Sequence, residues 1–229
     1  MSEALSGESR ADYLTLSGTL AVVKPVDPTI DLAIAAPETL QPFVIVHADG
    51  RVIAFNGHVD LGTGIRTALA QIAAEELDVA FERVEMVLGH TAIVPDQGPT
   101  IASETIQITA APLRNAAAQA RHWLIARASE RLGVAPADLA IDDGLIRPLA
   151  PDNRTLTFGD LIGDETIRLA LSDDVAIKPV SEHRIVGRSQ PRVDLPAKAT
   201  GGLTFVHDMR LPGMLHGRVV RPPYAGVDV

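Results

Sequence analysis

Residues 59–79, VDLGTGIRTALAQIAAEELDV, decide how the chain folds. They continue from a β-forming run, FVIVHADGRVIAFNG (43–57), pass through Gly62-Thr63-Gly64, and then change period. Beyond Gly64 the apolar residues Ile65, Leu69, Ile72, Ala73 and Leu77 share one helix face, while Arg66, Gln71, Glu75 and Glu76 mark the other. This spacing predicts a helix over about 65–77, with Glu75 and Glu76 on a solvated surface. In the run before it, Ala48-Asp49-Gly50 divides two short strands of a hairpin, the glycine supplying the positive φ of the turn.

The alternation continues downstream. RVEMVLG (83–89) predicts a strand, and HTAIVPDQGPTIASE (90–104) is a loop holding Pro95, Gly98 and Pro99. A second helix starts near Ser103 or Glu104, with Leu113, Ala117, Ala120, Leu124, Ala128 and Leu132 as its face and Gly133 as its stop. DLAIDDGLIRPL (138–149) reads as a hairpin around Asp142-Asp143-Gly144, and TFGDLIG (157–163) as a short helical turn. Residues 43–174 therefore form a β-β-α-β-α-β unit, and the fold class is α+β. Residues 1–42, with Pro25, Pro28, Pro37 and Pro42, read as an irregular arm over the core or a partner. Residues 175–229 carry strand-like pieces at 184–186, 203–206 and 215–220. They read as a β-rich unit whose last strands need another chain or a longer sequence to pair with.

Composition excludes several function classes. The 229 residues are 46% hydrophobic and 21% charged, enough for a sizeable core. A formal net charge of -9, with no run of five basic residues, argues against nucleic-acid or anionic-membrane partners. With no cysteine, the chain itself cannot hold an iron–sulfur cluster or a thiolate zinc site. The seven histidines contain no i, i+4 pair, and no Gly-x-Ser-x-Gly elbow occurs. No apolar stretch approaches the roughly 20 residues of a membrane helix. SRADYLTLSGTLAVV (9–23) has the outline of an export signal without paired arginines, so the expected location is the cytoplasm.

Two loops carry candidate binding chemistry. Gly62 and Gly64 let the backbone approach a ligand, and at a helix mouth the N–H groups of Thr63 to Arg66 favour a phosphate or pyrophosphate. A tight strand-to-helix turn without a ligand explains the same residues. In DQGPTIASET (96–105), Ser103 is a plain helix N-cap or a second hydroxyl for the same polyanion.

Three blocks, GHVDLGTGIRTALAQIAAEELDV, PDQGPTIASETIQITAAPLRNAAAQAR and RIVGRSQPRVDLPAKATGG with HDMRLPGMLHGRVVRPP, resemble in that order the molybdopterin-binding subunit of the xanthine dehydrogenase family, in its nicotinate dehydrogenase-like branch. The resemblance spans about residues 43–224, with Thr63 where many members carry glutamine. It implies a molybdopterin cofactor, commonly the cytosine dinucleotide in bacteria, held by backbone amides and hydroxyls. Gly62, Thr63 and Gly64 would line the pterin, Thr100, Ala102 and Ser103 would meet the pterin or its pyrophosphate, and Arg66 is a candidate for the dinucleotide phosphate. Residues 175–229 would begin the family's hammerhead region.

The implied reaction is hydroxylation of an electron-poor ring carbon beside nitrogen, in a nicotinate-like pyridine, with electrons leaving through a [2Fe-2S] subunit. The general-base glutamate belongs to a downstream portion beyond this sequence, so no catalytic residue is assigned here and a larger molybdenum chain is the expected partner. A non-catalytic scaffold or assembly subunit that has lost cofactor contact is the alternative.

Overall fold

Strands buried on both faces read as continuous apolar runs, and FVIV (43–46) is such a run because it lies inside a covered sheet. A computed structural model describes residues 9–222 and 224–226; residues 1–8 of the expected arm and the extreme C-terminus of the expected β-rich unit lie outside the described residues. The chain divides into two units, Met1–Arg192 and Val193–Val229.

The first unit is built on five strands, β1 (Thr19–Pro25), β2 (Leu40–His47), β3 (Val52–Asn56), β4 (Val84–Leu88) and β8 (Thr166–Ala170). Their order across the sheet is β4-β3-β2-β1-β8. The β1–β2 and β2–β3 pairs are antiparallel, and β1–β8 and β3–β4 are parallel. Helix α2 (Ile65–Leu77) crosses over from β3 to β4, and α3 (Ala110–Leu132) packs beside it. Their small and branched residues, Leu69, Ala73, Leu77, Leu113, Ala117 and Leu124, meet Leu20, Val22, Val44, Val46, Val52 and Ala54 of the sheet. The alternate strand residues, Ala21, Val23, Ile45, Ile53 and Phe55, face the other way, onto Tyr13, Leu14, Ala35, Ile93 and Val94. Tyr13 and Phe55 meet edge to face, with centroids 5.2 Å apart.

The N-terminal segment is therefore not an irregular arm. Its short helix α1 (Arg10–Leu14), capped by Ser9, covers the second face, and its run TLAVV supplies β1, a central strand between β2 and β8. The prolines that suggested irregularity are absorbed locally: Pro25 ends β1, and Pro42 sits in β2 where the register shifts between Val22 and Val23. A smaller sheet, β5 (Leu139–Asp142), β6 (Leu145–Pro148) and β7 (Leu156–Thr157), leads into α4 (Phe158–Ile162), which carries a capping box between Thr157 and Asp160.

Two further expectations change. Residues 175–192 pack within the first unit, so the boundary falls at 192/193 and not at 174/175. The strand-like pieces at 184–186, 203–206 and 215–220 form no strand among the described residues, because a β-forming run becomes a strand only when a neighbour takes up its N–H and C=O groups. In the second unit the described residues form α5 (Leu195–Ala199) and a 3-10 turn at Val206–Asp208. No helix among the described residues is long and apolar enough to cross a membrane.

Candidate functional site

The turn between β3 and α2 is organised by Asp60. Its Oδ1 accepts the N–H of Gly62 at 2.8 Å and of Gly64 at 3.2 Å, and its Oδ2 accepts the N–H of Arg66 at 3.2 Å. Gly62 and Gly64 take φ of 100° and 81°, and Gly64 is the left-handed N-cap of α2. A Cβ on Gly62 would meet nothing within 4 Å, so this glycine is required by its dihedral and not by space. The helix mouth expected to receive a phosphate thus holds a carboxylate from its own chain, which fills the positions an anion would use.

The loop at 90–104 is clamped onto the end of β3. Buried Asn56 donates through Nδ2 to the Thr109 carbonyl at 3.1 Å, and its Oδ1 accepts the His58 N–H at 3.0 Å. Gln97 accepts the Gly57 N–H at 2.8 Å and donates to the Thr109 carbonyl at 3.1 Å. Thr100 Oγ1 accepts the Val59 N–H at 3.0 Å, and His58 Nδ1 lies 2.8 Å from Thr105 Oγ1. Gly57 must be glycine, since a Cβ there would sit 2.4 Å from the Pro95 carbonyl oxygen. These bonds bring two loops distant in sequence side by side.

Between them lies a cleft of about 330 Å³ lined by Val59, Leu61, Thr63, Ile65, Thr100, Ile101, Ala102, Ser103, Thr105 and Ile106. Ala102 and Ser103 both adopt left-handed backbone, with φ of 50° and 61°, a conformation that L-residues avoid and that recurs at functional sites. Ser103 is consequently not an N-cap. The helical region begins instead as a π-turn, Thr105–Thr109, and Pro112, which has no N–H for the carbonyl four residues back, explains why the turn ahead of it widens.

Of the residues expected at the site, Thr63, Thr100, Ala102 and Ser103 line the cleft, and Gly62 and Gly64 shape the turn that presents Thr63. Arg66 is absent from the lining, its Nη1 donating to the Met86 carbonyl on β4. The hydroxyls of Thr63 and Ser103 make no hydrogen bond among the described residues. Asp60, Asn56, Gln97 and His58, which build the site, were not expected. An Asp two residues before a turn glycine was a readable Asx signal for the first of them.

Glu75 and Glu76 are not on a solvated face: both are buried. Glu75 Oε2 accepts three successive amides, Arg184, Ile185 and Val186, at 2.9, 2.6 and 2.9 Å, and Lys178 Nζ lies 3.4 Å from Oε1. Burial pushes the Glu75 carboxyl up, but the three amides and Lys178 outweigh it and hold it below its ordinary range. Glu76 pairs with Arg114 Nε at 2.6 Å and accepts the Lys178 N–H at 3.1 Å. Lys178 also pairs with Asp78, which in turn pairs with Arg121 at 2.7 Å.

A family described as a molybdopterin cofactor-binding domain matches residues 18–194. The chain is 52% identical over 226 residues to a nicotinate dehydrogenase subunit of Pseudomonas putida, covering 96% of this chain and 19% of that protein. It is 28% identical over 270 residues to the beta subunit of isoquinoline 1-oxidoreductase of Brevundimonas diminuta, covering 96% of this chain and 34% of that protein. Among solved structures, CO dehydrogenase from Oligotropha carboxidovorans superposes with a TM-score of 0.47 at 24% identity, over 62% of this chain and 18% of that one. The chain thus spans a minor part of the length of these relatives. By its domain match and its similarity to the nicotinate dehydrogenase chain of Pseudomonas putida, this chain belongs to the molybdopterin-binding subunits of the xanthine dehydrogenase family.

Proposed function

We propose that the cleft between the Gly62–Gly64 turn and the Thr100–Thr105 loop forms one wall of the site for molybdopterin, in its cytosine dinucleotide form. The carrying observation is the lining itself, in which the hydroxyls of Thr63, Thr100, Ser103 and Thr105 edge a floor of Val59, Leu61, Ile65, Ile101 and Ile106. That donor set fits a flat heterocycle with polar edges and apolar faces. Since Asp60 already takes up the N–H groups of the turn, the turn would meet the pterin edge and the Thr100–Ser103 loop would hold the pyrophosphate. Arg66, anchored on β4, then serves the loop rather than the phosphate.

When bound, the cofactor supplies oxygen transfer and electron acceptance at molybdenum. This chain's residues supply binding and orientation. The catalytic glutamate would come from a larger molybdenum chain and the [2Fe-2S] clusters from a third subunit, the assembly hydroxylating a nicotinate-like N-heteroaromatic ring in the cytoplasm. The test is molybdenum and cytosine nucleotide content of the chain isolated with its co-purifying subunits. Near-stoichiometric content that falls roughly tenfold in Thr63→Arg or Ser103→Glu supports the assignment. The filling of the turn amides by Asp60 also favours a second reading, an assembly subunit whose turn is purely structural. Content and turnover unchanged in both variants would establish that reading.

A further inference from the structure

Residues 178–192 lie along the outer side of α2, from the buried acidic pair at its C-terminal end to the glycine turn at its N-terminal end. At one end, Glu75 takes the amides of Arg184, Ile185 and Val186, and Glu76 takes that of Lys178. In the middle, Gln71 Nε2 donates to the carbonyls of Ile185 and Arg188, both at 3.0 Å. At the other end, Arg192 Nη1 donates to the Gly62 carbonyl at 2.8 Å. The stem of the same arginine packs on Gly64, where a Cβ would lie 3.2 Å from Arg192 Cδ. The 178–183 end is also tied to α3, where Arg114 Nη2 donates to the Lys178 carbonyl at 2.7 Å and lies 3.3 Å from His183 Nε2, while the anchors of 184–192 just described stand on α2 or the turn that opens it, so the segment is fixed at three levels.

We propose that residues 178–192 are a strap that sets the conformation of the Gly62–Gly64 turn, with Arg192 as the positioning residue and the Glu75 pocket of amides as the anchor. Asp60 holds the turn through its N–H groups, and Arg192 holds it through a carbonyl, so the two together fix the peptide planes flanking Thr63. The absence of a side chain on Gly64 then serves a contact as well as a dihedral, since it admits the Arg192 stem. The consequence for a ligand rests on the cofactor reading above: the direction of the Thr63 hydroxyl would depend on a segment that does not line the cleft.

Hydrogen–deuterium exchange on the full chain, purified with its accompanying subunits, tests the strap without reference to turnover. Arg192→Ala is expected to raise amide exchange in residues 62–68 by roughly tenfold while leaving 113–128 unchanged, with Arg192→Lys partly restoring protection. Gln71→Ala, which removes the middle anchor without a buried charge, is expected to loosen 184–192 and then 62–68. Unchanged exchange at 62–68 in Arg192→Ala, or loosening of 184–192 in Gln71→Ala with none at 62–68, overturns the proposal. Molybdenum content of the same samples separates the two readings. Exchange that responds in a preparation without molybdenum keeps the strap and removes the cofactor assignment. Exchange that does not respond in a molybdenum-loaded preparation does the reverse.

Discussion

Asp60 accepts three backbone N–H groups at the mouth of α2, which makes it the capping residue of that helix although it stands outside the usual N-cap position. Asp60→Ala leaves those amides to water and removes a favourable charge–dipole contact, so the chain should lose about 1–2 kcal/mol. Asp60→Asn, which keeps one acceptor, should recover part of it. Denaturant midpoints at unchanged slope provide the measurement. At the opposite wall the sign reverses. Ser103 holds φ of 61° without the freedom of glycine, so Ser103→Gly should stabilise the free chain by about 1 kcal/mol while weakening any ligand that uses its hydroxyl. A gain in thermal midpoint together with a loss of bound molybdenum would show strain kept for binding; a loss of stability would mean the left-handed pair carries no strain. The glycines and hydroxyls of this site were readable because their chemistry is local. Asn56, Gln97 and His58 were not, because each acts through a partner 12 to 53 residues away.

Helix α2 runs over the residues that its apolar spacing predicts, yet the same spacing misplaces Glu75 and Glu76. A helical wheel distinguishes the face that meets the sheet from the remainder; it does not reveal that a segment 102 or more residues downstream covers part of the remainder. The cover is ionic and therefore responds to pH. The Glu75 carboxyl is held below its ordinary value of 4.5, so its contribution to stability is complete above that value and is lost as pH falls through the lower folded value. Glu75→Gln should flatten this acidic limb. It should also cost about 2 kcal/mol at neutral pH, since a neutral amide oxygen accepts the three amides of 184–186 less strongly and Lys178 keeps only Asp78 as its carboxylate partner. Paired acid titrations of folding, followed by circular dichroism, would test this: parallel limbs in the two proteins would show that other carboxylates carry the acid sensitivity.

At the scale of the whole molecule, the N-terminal segment belongs to the core of the first unit, and the second unit builds no core of its own among the described residues. β1 pairs with both β2 and β8, so it cannot be removed without leaving two strand edges and both apolar layers open. Deleting residues 1–25 should therefore abolish cooperative unfolding, whereas an arm merely laid over the core would be dispensable. Residues 193–226 present the opposite case. None of the described residues in this span is buried, and Leu215 and Val220 are more than nine-tenths exposed. Cleavage requires a protease to hold an extended segment, and backbone with no buried side chains offers it at little free-energy cost. Brief trypsin treatment of the isolated chain should cut first at Arg210 and Arg218, then at Lys198. Arg168 should stay intact, tied by side-chain hydrogen bonds to the Ala35 and Leu14 carbonyls across the central sheet. If the second unit pairs its β-forming runs with the larger molybdenum chain proposed above, adding that chain should protect the arginines of the second unit. Mass spectrometry of the limit fragments, with and without that chain, would decide this. Cleavage of the second unit at an equal rate in both samples would show that the larger chain does not use these β-forming runs.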